Sequence, residues 1–187
     1  MKRAFDIVVC ATLLLVFWPL LLLVVVAIRI QSPGKAIFSQ VRVGKHGHPF
    51  ICYKLRTMYL GTASLPTHQV KASAVTALGE YLRRFKIDEL PQLWNVLIGD
   101  MSLVGPRPCL PSQTELIVAR HQLGVLELRP GITGLAQVKG VDMSDSARLA
   151  KIDARYARTQ SMTGDLRLIW ATVRGQGVGI DQVRASS

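Results

Sequence analysis

Acidic residues are scarce in this sequence relative to basic ones. Only twelve Asp and Glu stand against 23 Lys and Arg in 187 residues, a formal net charge of +11. The shortage is concentrated at the front: no acid lies between Asp6 and Glu80, so residues 1–79 carry nine basic side chains against one carboxylate, a balance of +8. Such a field attracts an anionic partner, whether nucleic acid, an anionic membrane leaflet or a phosphorylated substrate. Aromatic residues are also scarce, at 6%, and no recognition motif interleaves them with the cations, which argues against nucleic acid as the partner. The three cysteines, Cys10, Cys52 and Cys109, are far apart and form no C-x-x-C pair. That argues against a disulfide framework or a zinc site and for reduced thiols in a cytoplasmic setting. The histidines give no metal-ligand spacing beyond His46-Gly-His48, which reads as a solvated turn tip. No internal repeat is present, and the length suits one compact domain plus an appendage.

Charge of either sign is missing from Ile7 to Ile28, a run of 22 residues. About 20 apolar residues suffice to cross a bilayer. The run is too long for the apolar core of a cleaved signal peptide, which is about 7–15 residues. Lys2 and Arg3 precede it, while Arg29, Lys35 and the basic remainder follow, so the positive-inside rule draws both ends to the cytoplasm. Pro19 lies just past the midpoint, where it removes a helical hydrogen bond and crowds the carbonyl of Leu15. The expectation is a helix over residues 1–31 that is kinked at Pro19, enters the cytoplasmic leaflet and returns; an ordinary spanning helix with a tolerated proline is the alternative.

Residues 32–187 are expected to form an α+β cytoplasmic domain at the membrane surface, with one small hairpin and several short amphipathic helices. Residues 36–44 and 49–58 read as the hairpin, and period-2 alternation puts Phe50, Cys52, Lys54, Arg56 and Met58 on one face. Residues 59–76 read as a loop, 77–87 as a helix, Ser112-Gln-Thr-Glu115 as a capping box opening a helix through His121, and Arg129–Gly140 as an irregular Gly-rich loop. Two amphipathic helices follow, over residues 146–158 and 164–175. Leu149, Ile152, Tyr156, Leu166, Ile169 and Trp170 supply their apolar contacts, either to the core or to the bilayer interface.

Against this background Asp88 and Glu89 stand side by side. Asp88 reads as the N-cap of a helix through Ile98 with Pro91 in its first turn, which sets both carboxylates at a positive, phosphate-receptive helix end. A capping Asp with an acidic first turn would need no more explanation. Yet Arg83, Arg84 and Lys86 precede the pair, Arg107 follows between two prolines, and Lys54 and Arg56 are available from the hairpin. A carboxylate can attack phosphorus only if cations or a divalent metal screen the incoming anion. Mg²⁺, a hard ion that favours carboxylate and phosphate oxygens, suits the pair better than zinc.

Several ordered blocks resemble the bacterial sugar transferases, in their small monotopic phosphoglycosyl transferase form. They are Ser32-Pro33-Gly34, Gln40-Val-Arg-Val-Gly44, Tyr53-Lys-Leu-Arg-Thr-Met58, Asp88-Glu-Leu-Pro-Gln-Leu-Trp-Asn95, Gly99-Asp-Met-Ser-Leu-Val-Gly-Pro-Arg-Pro108 and Arg129-Pro-Gly-Ile-Thr-Gly134 with Ala136-Gln137. The resemblance implies a re-entrant membrane helix at the cytoplasmic face of a bacterial inner membrane. It also implies transfer of a sugar 1-phosphate from a UDP-sugar to undecaprenyl phosphate with release of UMP, the first membrane step of glycoconjugate synthesis. On that likeness Asp88 forms a covalent phosphosugar, Glu89 helps hold Mg²⁺ or activates the lipid phosphate, and Lys54, Arg56, Arg83 and Arg107 bind phosphates. Pro106, Gly131, Thr133 and Gln137 belong to the substrate loops, and a homodimer stays open. Leu135 and Lys139-Gly-Val-Asp142 depart from the family's usual Trp and Asn-Gly-Arg-Asn, and no large multi-helix region precedes the anchor. The donor expected here is a UDP-linked N-acetylated amino sugar. A membrane-tethered scaffold or nucleic-acid binder without catalysis is the competing class.

Overall fold

The computed structural model describes residues 1–61 and 74–175. Helix α1 spans Lys2–Gln31 as one continuous element with Pro19 inside it, so the proline does not break the helix. It is long and apolar enough to cross a membrane by length and composition. Leu13 and Leu14 touch the core, but beyond them much of its middle is bare among the described residues: Leu15, Trp18 and Leu23 are 74%, 58% and 68% exposed. Its two ends are both fastened to the same body. At the start, Lys2 pairs with Asp165, Arg3 donates to the carbonyls of Val96 and Leu97 at 2.6 and 3.0 Å, and Asp6 accepts from the Ser102 hydroxyl at 2.8 Å. At the far end, Leu21, Val24 and Val25 pack on the cluster of Ile28, Leu55 and Leu82.

Strands β1 (Ile37–Val43) and β2 (Pro49–Leu55) form the antiparallel hairpin, with Val41 opposite Ile51 and Gln40 opposite Cys52. Phe50, Cys52 and Leu55 of β2 are buried, as the alternation requires for the first two. Tertiary support comes from Asn95, which is wholly buried; its side chain accepts from the Tyr53 amide at 3.1 Å and donates to the Ile51 carbonyl at 2.7 Å. That amide side chain fixes β2 against α3 (Gln92–Ile98), as buried polar groups in a core must be paired to be tolerated.

The remaining elements are α2 (Ala77–Arg84), β3 (Ser102–Val104), α4 (Thr114–Gln122), β4 (Gly131–Thr133), α5 (Leu135–Val138), α6 (Ser146–Thr159) and α7 (Met162–Val173). Arg129–Gly140 is thus not an irregular loop. Its glycines let β4 lie parallel to β3: a Cβ on Gly131 would collide with the Gly105 backbone nitrogen, and one on Gly134 with the Gly105 carbonyl. Helix α4 starts at Thr114 without a side-chain cap, because Gln113 turns back to accept from the Leu110 amide at 2.9 Å, and the expected capping box does not form. The loop expected over residues 59–76 falls mostly outside the described residues; at its margins Met58 pairs with Val75. Leu149 and Tyr156 enter the core, whereas Leu166 and Trp170 of α7 are 48% and 57% exposed. A buried Arg120–Asp153 pair at 2.7 Å ties α4 to α6.

Candidate active site

Asp88 and Glu89 sit in a tight turn, Ile87–Glu89, between α2 and α3. Asp88 is not the N-cap of a helix. Pro91 has no amide hydrogen, so the turn closes by shorter i to i+3 bonds, Glu89 to the Lys86 carbonyl and Leu90 to that of Ile87, and α3 begins only at Gln92. Lys86 enters the turn in the left-handed region, φ 56°. The carboxylates therefore precede the helix, and side-chain cations rather than a helix end dominate their field.

Those cations come from three segments. Lys54 of β2 donates to Glu89 Oε1 at 2.8 Å, and Arg107, held between Pro106 and Pro108, lies 3.5 Å from the same oxygen. Arg83 of α2 anchors its Nε on the Thr57 hydroxyl at 2.9 Å and acts electrostatically on Asp88. The two carboxylates are driven apart. Burial first, and the Glu89 charge second, push the Asp88 carboxyl up to about 6, against the opposing pull of Lys54, Arg83 and Arg107. Burial also disfavours ionised Glu89, but Lys54 and Arg107 outweigh it and hold that carboxyl down to about 2. Glu89 is the permanently charged, pinned member, whereas Asp88 has no ion pair among the described residues.

Arg56 does not join them. It lies beyond the end of β2 and donates to the carbonyls of Ser32 and Pro33 at 2.5 and 2.6 Å, closing the C-terminal end of α1. The alternation placed its side chain on the Lys54 face but could not see that strand pairing stops at Leu55. Of the substrate-loop residues, Gly131 lines the cleft and gives its amide to the Pro106 carbonyl at 2.9 Å. Thr133 faces α7 through the Thr172 hydroxyl, and Gln137 steadies Ile132, which lines the cleft, by donating to its carbonyl at 2.8 Å.

Two cleft residues escaped the sequence reading. Arg42, in the Gln40–Gly44 block, lies against Lys54, Glu89 and Arg107; burial and then the like charge of Arg107 lower its guanidinium to about 10. Two guanidiniums repelling one another around one carboxylate make a site short of negative charge. Gln92 is buried, and its amide nitrogen has no acceptor among the described residues. The signal for Arg42 was its alternation with Val41 and Val43; the signal for Gln92 was its place one turn past Glu89.

For a metal, the described residues hold no cluster of three or more His, Cys, Asp or Glu. Mg²⁺ requires less, since one or two carboxylates plus substrate phosphates suffice, and unpaired Asp88 fits that demand better than Glu89, which Lys54 occupies.

A bacterial sugar transferase profile matches residues 1–177. The chain belongs to the bacterial sugar transferase family. The transferase is 43% identical over 183 residues to a UDP-glucose:undecaprenyl-phosphate glucose-1-phosphate transferase of Caulobacter vibrioides, covering 92% of this chain and 68% of that protein. It is 39% identical to an undecaprenyl-phosphate glucose phosphotransferase of Komagataeibacter xylinus, of which it spans 35%. It is 40% identical over 198 residues to the exopolysaccharide production protein PSS of Rhizobium leguminosarum bv. phaseoli, of which it spans 98%. The expectation of an enzyme of the phosphoglycosyl transferase kind is met at this level.

Proposed function

We propose that this transferase moves a sugar 1-phosphate from a UDP-sugar to undecaprenyl phosphate at the cytoplasmic face of the bacterial inner membrane, releasing UMP. The observation that carries the reading is the divided carboxylate pair: one ionised and fixed by Lys54 and Arg107, the other buried, without an ion pair among the described residues, and raised to about 6. A carboxylate with a raised pKa is still mostly ionised at pH 7 and is more basic than a free one, which favours attack. Asp88 attacks the β-phosphorus, the bond to the bridging oxygen breaks, and UMP leaves with that electron pair. The resulting aspartyl phosphosugar is then attacked by a phosphate oxygen of the lipid, which restores the carboxylate. Arg42, Lys54, Arg83 and Arg107 bind and screen the phosphates through both steps, and Gln92 supplies its free amide hydrogen to a phosphate or sugar oxygen. Glu89 holds Lys54 and Arg107 in position rather than reacting itself. Mg²⁺, held by Asp88 with Glu89 near it, would add charge neutralisation on the diphosphate.

The acceptor is a lipid, and the fold suits it. Lys2, Arg3 and Asp6 tie one end of α1 to the catalytic body, and Arg56 ties the other end to the same body. This supports a helix that enters and leaves on the cytoplasmic side. Exposed Tyr81, Phe85, Trp94, Ile98, Trp170 and Val173 offer apolar contact with the interface beside it. For the sugar, the glucose in the names of two relatives favours UDP-glucose, and the departures at Leu135 and residues 139–142 leave the donor open to another UDP-sugar. Exopolysaccharide production in a third name supports glycoconjugate synthesis as the destination. UMP release measured against a panel of UDP-sugars, with and without undecaprenyl phosphate, tests the reading. Turnover of no UDP-sugar by a folded, membrane-bound preparation would reject it.

A further inference from the structure

We propose that Arg120 and Asp153, buried outside the catalytic cleft, are positioning residues for Arg107: they fix the backbone from which its guanidinium meets the diphosphate of the sugar nucleotide. Arg107 stands between Pro106 and Pro108, and neither proline has an amide hydrogen with which to close the loop on itself. Its shape therefore depends on donors from outside. Four successive carbonyls are each taken by a different partner: Pro106 by the Gly131 amide of β4 at 2.9 Å, Arg107 by Arg120 Nη1 at 2.9 Å, Pro108 by Arg42 Nη1 at 3.1 Å and Cys109 by the Val43 amide of β1 at 2.9 Å. Glu89 reaches the Arg107 side chain at 3.5 Å, longer than any of these four bonds, so the loop shares in aiming it. Two of the four donors are backbone amides, which any residue other than proline would supply. Of the two side-chain donors, Arg42 lines the cleft and Arg120 does not. Arg120 is thus the donor that can be altered without touching the cleft wall.

Asp153 sets the direction of that donor. Arg120 is 3% exposed and Asp153 2%, and the Arg120 Nε and Nη2 both donate to Asp153 Oδ2, at 3.0 and 2.7 Å. The guanidinium is planar and rigid, so fixing two of its nitrogens on one carboxylate leaves Nη1 a single direction, toward the Arg107 carbonyl. The fork belongs to α4 and the carboxylate to α6, so the packing of two helices is transmitted to one loop of the cleft. A buried ion pair is weak grounds for stability in itself, because apolar residues of similar volume often serve as well. What apolar residues could not supply is the third bond, to the backbone of Arg107. A displacement of about 1 Å in a group that orients substrate can cost on the order of a hundredfold, so that bond has the leverage to matter. This inference rests on the reading of Arg107 as a phosphate-binding residue.

A double-mutant cycle on UDP binding tests it, read by calorimetry on the full chain in detergent. UDP carries the diphosphate whatever the donor sugar is. Replacing the pair together, Arg120→Met with Asp153→Leu, removes both charges at once and leaves neither buried alone, so the protein should still unfold cooperatively. Its dissociation constant for UDP should rise about tenfold, because Arg107 is no longer held. In an Arg107→Gln background the same replacement should change the constant by less than about twofold, since there is no guanidinium left to aim. Should the paired replacement fail to fold, Arg120→Lys takes its place in the cycle: it keeps a cation against Asp153 but lacks the planar fork that also reaches the Arg107 carbonyl. An unchanged UDP constant in a folded variant, or the same loss with and without the Arg107 guanidinium, would overturn the proposal. Wild-type protein that binds no UDP and releases no UMP would instead strike the catalytic reading, and the positioning role with it.

Discussion

Lowering the pH should switch off the first chemical step through Asp88 before it affects any other group at the site. Burial and the Glu89 charge raise this carboxyl from an ordinary 3.8 to about 6, whereas Glu89 stays ionised down to about 2. With a value near 6, about 90% of Asp88 is ionised at pH 7 and about 10% at pH 5, so kcat/KM for the UDP-sugar should fall roughly ninefold over that interval. The measurement is UMP release at subsaturating sugar nucleotide and Mg²⁺, where kcat/KM reports the free enzyme. Glu89→Gln sharpens the test. It removes a negative neighbour and releases Lys54 and Arg107 toward Asp88, and both effects lower the Asp88 value, so the residual activity should have its inflection displaced to lower pH. A profile flat from pH 5 to 8, an inflection near 4 in the unaltered protein, or an inflection that Glu89→Gln leaves in place would refute the reasoning.

Stability should move the opposite way from activity at the same residue. A group raised in the folded state destabilises the fold above its folded value and is relieved as pH falls through about 6 toward 4, so Asp88→Asn should stabilise the protein at pH 8 by on the order of 1–3 kcal/mol while abolishing UMP release. Chemical denaturation at pH 8 and again at pH 4 checks this, and an equal effect at both would contradict it. Arg56→Met should cost about 1–3 kcal/mol through the lost contacts at the end of α1, with KM for the UDP-sugar little changed; a large rise in KM with stability intact would return Arg56 to the substrate. Gly131→Ala should disrupt the β3–β4 approach and abolish activity together with cooperative unfolding, since its Cβ would meet the Gly105 backbone. A reporter attached ahead of Met1 should be found in the cytoplasm, and a periplasmic reporter would refute the return of α1.

Much of this arrangement was legible in the residue order, and the failures have local causes. The hairpin, α2, α6 and α7 follow from period and Gly punctuation, while the caps that start α6 and α7, Asp145 and Ser161 accepting from the amides of Arg148 and Gly164, come from the structure. The cations around the carboxylate pair could be named because so few acids compete for them. What the sequence could not display was which cation reaches which carboxylate: Lys54 and Arg56 are two residues apart, yet one holds Glu89 and the other closes α1. By sequence Pro91 fits a first helical turn, whereas its missing amide converts that turn to shorter bonds and shifts the helix start to Gln92. The Gly-rich stretch after Arg129 reads as irregular because glycine disfavours strands. Here its lack of a side chain is what admits β4 beside Gly105. Arg42 and Gln92 are single residues inside apolar or helical patterns, and only the packing of β1, α3 and Arg107 brings them to one cleft.

The account rests on Asp88 becoming covalently bound to phosphosugar. Incubating the protein with a competent UDP-sugar in the absence of undecaprenyl phosphate, quenching in acid and mapping the peptides by mass spectrometry measures this directly. The account predicts one sugar phosphate on the peptide containing Ile87–Glu89, located at Asp88 by fragmentation and absent from Asp88→Asn. A modified Glu89, a modified residue elsewhere, or steady UMP release with no adduct at any quench time would contradict it.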